Sequence, residues 1–137
     1  MSDATRLVAD YHRRLWAEGD LGAIGEAFAP DAIVHLTGFD DRAVAAVRAD
    51  AVRYRGAFTE VSTEILTLLT DGDRVVLHWS TVGRHVGPYG KVPATGRVVT
   101  MTGIDIFRIA DGRVIECWSL WDGLDVYDQL GVLPELW

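Results

Sequence analysis

The spacing of apolar residues along this chain changes once, near residue 58. Before that point apolar side chains recur every three to four positions, and after it they alternate with polar ones. The spacing of Leu7, Val8, Tyr11 and Leu15 predicts a helix over residues 3–18. Ser2 or Asp3 can cap it and Gly19 can end it. Leu21, Ile24 and Phe28 predict a second, shorter helix over residues 21–29, stopped by Pro30. "AIVHLT" then reads as a short strand carrying His35. The stretch "DDRAVAAVRADAVRYRGAF" reads as a third helix, capped by Asp40 or Asp41, with Val44, Val47 and Ala51 facing inward.

The second half reads as two hairpins. "TEVSTEILTLL", a turn at Asp71-Gly72 and "RVVLHWSTVGRHVG" form the first. The loop "PYGKVPATG" follows. "RVVTMTGIDIFRIA", a turn at Asp111-Gly112 and "RVIECWSLWD" form the second, and a short helix, "DVYDQL", ends at Gly131. Helices first and long antiparallel strands after is an α+β layout, expected as one domain over residues 1–137. A strongly curved sheet wrapped around the helices would leave a pocket at its open end. A flat two-layer sandwich without a deep pocket is the alternative.

Alternation sorts the strand residues by face. With a three-residue loop and Gly112 left-handed, Asp105 lies opposite Cys117 and Ile106 opposite Glu116. Gly103, Asp105, Phe107, Ile109, Ile115, Cys117, Ser119 and Trp121 then share the inner face. Arg108 and Glu116 share the outer one, as a diagonal ion pair. The first hairpin groups Val61, Thr63, Ile65 and Leu69 with Val75, Leu77, Trp79 and His85, and turns His78 away. Asp105 thus points into apolar company. A carboxylate there must find a hydrogen-bond partner or hold a proton through a raised pKa. A carboxyl group in an aromatic-lined cavity suits proton transfer to or from a carbon acid. Asp105, His85, His35 and Asp122 are the candidate catalytic residues. Trp16, Trp79, Phe107, Cys117, Ser119 and Trp121 are the candidate substrate-binding ones. Each also has a plain structural reading: Asp105 as a register-fixing pair, His35 as a hydrogen-bonded core histidine, His85 as a loop-end residue, Cys117 and the tryptophans as packing.

Composition narrows the classes. The chain has 137 residues, of which 49% are hydrophobic, enough for a real core. A net charge of -7 argues against nucleic acid and anionic membrane surfaces as partners. There is no membrane-length apolar run. The N-terminus does not read as a secretory signal, and the single cysteine suits a reducing, cytoplasmic setting. The histidines at 12, 35, 78 and 85 share no metal-ligand spacing, and no phosphate loop or nucleophile elbow is present.

Three stretches, "GRHVGPYGKVPATGRVV", "GIDIFRIADGRVIECW" and "WDGLDVYDQLGVLP", in that order and spacing, resemble the SnoaL-like polyketide cyclases. Trp16 falls where that family tends to place a pocket aromatic. The resemblance implies the cone-shaped α+β fold shared with nuclear transport factor and scytalone dehydratase. It also implies a homodimer, no cofactor, and one solvent-shielded pocket per subunit for an apolar, polyketide-like substrate. In the family's best-known members a pocket carboxylate removes a proton next to a carbonyl and starts an intramolecular aldol ring closure. Many relatives read "EHWD" where this chain reads "ECWS", so the family's catalytic aspartate falls at Ser119 and a usual histidine at Cys117. A position that carries histidine in the known cyclases falls at Asp105. The resemblance therefore implies a carboxylate moved from one strand of the hairpin to its neighbour, on the same face. Three functions fit: an acid–base tailoring enzyme using Asp105, a hydroxylase of the kind found in anthracycline pathways, or a non-catalytic binding protein. An epoxide hydrolase of the limonene type needs an arginine and two aspartates on these strands, where this chain has Gly103, Asp105 and Ser119.

Overall fold

The computed structural model describes residues 1–135. The elements are α1 (Asp3–His12), a π-helical turn (Arg13–Ala17), α2 (Gly22–Ala27), β1 (Phe28–Leu36), α3 (Ala45–Ala57), β2 (Phe58–Asp71), β3 (Arg74–His85), β4 (Val98–Ala110), β5 (Arg113–Trp121) and α4 (Gly123–Gln129). The strands form one curved, unclosed sheet in the order β1-β5-β4-β3-β2. All neighbours are antiparallel except β1 and β5, which are parallel. This is the α+β fold that the change of period predicts, with helices against the concave face. No described helix is long and apolar enough to cross a membrane.

Several local expectations need correction. The first helix is not uniform: Ser2 caps it, accepting from the Thr5 N–H, and it widens into a π turn at Arg13. The wider turn keeps Leu15 fully buried while leaving Trp16 at the edge of the core. The second helix is shorter than expected, because the chain is already extended at Phe28 and Pro30 lies inside β1. Proline, which has no N–H to donate, is tolerated in this edge strand. Neither Asp40 nor Asp41 caps α3. The Val34 N–H holds the Arg42 carbonyl at 2.7 Å, which ties this loop to β1, and the helix begins only after Val44.

Bulges change the strand registers. The β4–β5 turn is a two-residue one, with Asp111 at φ 51° and Gly112 at φ 74°, as a type I′ turn requires. An extra residue, Ile115, then enters β5 between Val114 and Glu116. Val114 is consequently buried where Ile115 was expected. Asp105 stands opposite Ser119, Phe107 opposite Cys117 and Arg108 directly opposite Glu116. The shift is two residues, so Asp105 keeps the inner face. β2 shifts register twice, between Thr59 and Ser62 and between Ile65 and Thr67; at the second shift the extra residue is Leu66, which turns Leu68 inward and leaves Leu69 59% exposed, the reverse of the expected facing for Leu69.

These bulges bend the sheet. α3 touches both edge strands, β1 and β2, and so spans the open side of the curled sheet. The central strands β3 and β4 therefore face α3 across the core. Gly103 of β4 pairs with Trp79 of β3 and Trp121 of β5. A Cβ at Gly103 would lie 2.3 Å from Trp79 Cζ2 and 2.6 Å from the Leu120 carbonyl oxygen, so only glycine lets the Trp79 ring lie across this strand. Gly103→Ala should displace Trp79 and cost about 1–3 kcal/mol. Thermal unfolding, with tryptophan fluorescence as the probe, checks this; an unchanged Tm and spectrum would show that the ring has room to move.

Candidate functional site

A cavity of about 50 Å³ opens between α1, α3 and the concave face of the sheet, lined by His12, Asp50, Tyr54, Trp79, Asp105 and Ser119 among others. A second space of about 20 Å³, lined by Tyr11, Phe107 and Cys117, meets it at Trp16, Asp50, Asp105 and Ser119. Together they are large enough for a few water molecules. Of the shared lining, Trp16, Asp50 and Ser119 are part-exposed, as is Trp121, so they mark the way to solvent.

Asp105 is 6% exposed and sits where the two spaces meet. The Ser119 hydroxyl donates to its Oδ1 at 2.7 Å from the facing strand. Burial pushes its pKa up to about 7. The Ser119 hydrogen bond pulls it back, and so does the Trp79 indole N–H, which stands close by without full hydrogen-bond geometry. Asp50 adds a second negative charge that pushes it up again. No cation is paired with Asp105 among the described residues.

His12 comes from α1. Its Nε2 is 2.8 Å from the Thr63 hydroxyl, which in turn lies 2.9 Å from that of Thr81. Burial pushes the His12 pKa down to about 4, so the ring is neutral at neutral pH. Asp50 comes from α3, and burial raises its pKa to about 6. Tyr54, one turn further along α3, is edge-on to Trp16 with ring centroids 5.8 Å apart. His12, Asp50 and Tyr54 are absent from the candidates named from sequence. The signal was there: Asp50 lies three residues after Val47 and four before Tyr54, a carboxylate on an apolar stripe. The strand-centred alternation does not weigh helix positions, and so passes over it.

The structure brings Asp105, Trp16, Trp79, Ser119 and Trp121 together around the larger space, with Phe107 and Cys117 on the smaller one. Burial pushes the Cys117 thiol well up, which makes it an inert core group. Three candidates lie elsewhere. His35 is on the convex face, stacked on Trp118 at 5.4 Å, with its Nε2 2.9 Å from Glu116 Oε2. Glu116 also accepts from Arg108 at 3.0 Å, and these two partners hold its carboxyl below the usual range. His35 faces outward because Ala32 and Val34 take the inner face of β1. His85 is inward but fully buried beyond the cavity, tilted against Phe58. Its Nδ1 accepts from the Thr95 N–H at 3.1 Å and so pins the loop between β3 and β4. Asp122 caps α4, accepting from the Asp125 N–H at 3.1 Å, and is exposed.

Residues 6–130 match the family model of the SnoaL-like polyketide cyclases. Among solved structures the chain is similar to TsrD from Streptomyces laurentii, with 28% identity over 95% of this chain and 96% of that one, and a TM-score of 0.85. It is similar to IdmH from Streptomyces antibioticus, a candidate polyketide cyclase, with 29% identity over 90% and 98% and a TM-score of 0.76. AclR from Streptomyces galilaeus, a candidate hydroxylase, shares the fold at 23% identity over 99% and 85%, with a TM-score of 0.88. No curated protein matches the sequence.

The position of Asp105 has a consequence for stability. Its folded pKa, raised from 3.8 to about 7, means the native state binds this proton more tightly than the unfolded chain does. Its contribution is therefore favourable at low pH and is lost as pH rises from about 4 towards 7. Asp105→Asn should remove that slope, leaving a variant that gains on the wild type by a few kcal/mol, in order of magnitude, between pH 4 and 8. Urea unfolding of both proteins across this range measures the difference; parallel curves would place Asp105 in an ion pair or in solvent.

Proposed function

The chain belongs to the SnoaL-like polyketide cyclase family, and we propose that it is an acid–base tailoring enzyme of aromatic polyketide-type metabolism, with Asp105 moving the proton. The observation that carries this is the Asp105–Ser119 pair. Ser119 stands at the position the family resemblance assigns to the catalytic aspartate, and Asp105 is its direct partner on the adjacent strand, 2.7 Å away through the hydroxyl. The carboxylate of β4 thus reaches the space that a carboxylate on β5 would serve. Ser119 orients one oxygen. The carboxyl group takes a proton from a carbon next to a carbonyl, and burial puts its affinity for that proton near neutrality.

The aromatic lining suits a flat apolar substrate, and the enclosed space is smaller than such a substrate needs. Binding a polycycle requires the two spaces to merge by outward movement of the part-exposed Trp16 and Trp121. An epoxide hydrolase of the limonene type is disfavoured, because the Trp79 ring occupies the space over Gly103 that an arginine side chain would need.

The test uses a neutral, uncyclised aromatic polyketide ester with an enolisable methylene beside a carbonyl, followed by chromatography for ring closure. Asp105→Asn should lose about two to four powers of ten in rate while still binding a product analogue. Ser119→Ala should lose much less, since the hydroxyl only orients. Full activity in Asp105→Asn would make the carboxylate structural. Turnover that requires oxygen and a reductant would favour the hydroxylase reading.

We also propose that the convex face joins two copies of the chain. Ile104 and Leu120 are 47% and 67% exposed on neighbouring strands, and Ile33 of β1 adds a third large apolar side chain at 47%. Leu120→Asp should convert a dimer to a monomer by light scattering at micromolar protein; a wild type already monomeric there would end this proposal. The buried lone thiol of Cys117 is compatible with a reducing, cytoplasmic location.

A further inference from the structure

Asp50 is a costly residue with no structural task. It lies on the stripe of α3 that buries Val47, Ala51 and Tyr54. It lines both spaces that meet at Asp105. Burial disfavours its charge, and the one favourable influence on it is the distant charge of Arg53. Arg53 forms no ion pair with it; its guanidinium lies over the Tyr89 ring, 4.3 Å from the centroid. Ser119 satisfies Asp105, but nothing among the described residues hydrogen-bonds Asp50. A part-exposed carboxylate on a mostly buried stripe loses water that no protein group replaces, and packing alone would be served as well by an uncharged residue.

The other titratable groups around it are out of range. His12 from α1 is neutral above about pH 4. Tyr11 from α1, Tyr54 from α3, Tyr89 from the β3–β4 loop and Cys117 from β5 are all pushed up by burial. Asp50 and Asp105 are the described lining groups that titrate near neutrality, and each is on the opposite wall from the other, helix against sheet.

We propose that Asp50 is the second proton carrier of this site, so that one carboxyl takes a proton from carbon while the other delivers one to oxygen. The proposal rests on the acid–base reading of Asp105. In the step, the ionised carboxylate takes the proton from the carbon beside a carbonyl, and the C–H electron pair becomes the C=C of an enolate. The enolate carbon attacks a second carbonyl carbon of the same molecule and a C–C bond forms. The displaced π pair moves to that oxygen, which takes the proton of the other carboxyl. The substrate has moved one hydrogen from carbon to oxygen, and no oxidant or reductant is needed. The proton left on the first carboxyl returns to the second through water at the part-exposed edge of Asp50. Because two negative charges in one cavity repel, the pair keeps a single proton over the pH range between its two titrations, and those titrations belong to the pair.

The experiment is a carbon-13 NMR titration of the full chain labelled at aspartate carboxyls, alongside ring closure of the same polyketide ester. Two carboxyl signals should titrate above the ordinary aspartate range. Asp50→Asn should remove one and lower the midpoint of the other, since the charge of Asp50 raises that of Asp105. Asp50→Glu should retain a coupled pair. Asp50→Asn should cut ring closure by about a hundredfold or more and turn a two-limbed pH–rate profile into a one-limbed one, with Asp50→Glu restoring both. An Asp105 midpoint unmoved in Asp50→Asn, or full ring closure there with both limbs intact, overturns the proposal. The loss of activity in Asp105→Asn would then still uphold the single-base reading. Ring closure that survives in both variants overturns the two together.

Discussion

A helix that must touch both edges of a five-stranded sheet cannot pack on a flat one. α3 reaches β1 and β2, the two outermost strands, and it does so because the sheet is curled. The extra residues in β2 and β5 supply much of that curl, since each lengthens one strand against its partner and increases the local twist. Everything about the cavity follows from this bend. A flat sheet would put β4 against a helix face at contact distance and leave no enclosed space. The curled one holds β3 and β4 away from α3 and makes room between them.

The cavity's chemistry is set by what it lacks. Among the described residues its charged lining groups are carboxylates, and Arg53, which stands over the ring of the lining residue Tyr89, forms no ion pair with them. Removing water from a carboxylate without supplying a cation raises its proton affinity. Ser119 and Trp79 moderate this for Asp105, and Gly103 is the small residue that lets Trp79 stand where it can. A neutral histidine, the Thr81 hydroxyl and several aromatic rings complete the lining. On the convex side the opposite logic holds. His35, Glu116 and Arg108 pair with one another near water, where such pairs are inexpensive and contribute modestly.

The family resemblance and the structure meet at one pair of positions. Ser119, where the resemblance expects an aspartate, and Asp105, where it expects a histidine, face each other across one hairpin. Antiparallel neighbours on one face have side chains within reach of a single atom placed above them. A carboxyl group on either strand of this hairpin therefore faces the same space, and Ser119 donates a hydrogen bond to Asp105.

Sequence alone is enough for the α+β class, for the positions of the hairpin turns, though not the length of the second one, and for the inward direction of Asp105. Each rests on a local periodicity, and a two-residue error in register leaves a strand's facing unchanged. The same periodicity fails where a single residue is inserted: it puts Ile115 and Leu69 on the wrong face, because a bulge reverses facing and leaves little trace in hydropathy. His35, expected on the inner face, lies on the outer one for a related reason: a short apolar strand such as "AIVHL" reads equally well in either orientation until its neighbour fixes it. Only the tertiary structure put Asp50 and His12 beside Asp105. Their helices are remote in sequence from β4, and it is the curl of the sheet, a property of all five strands together, that brings a helix carboxylate to face a strand carboxylate across one small space.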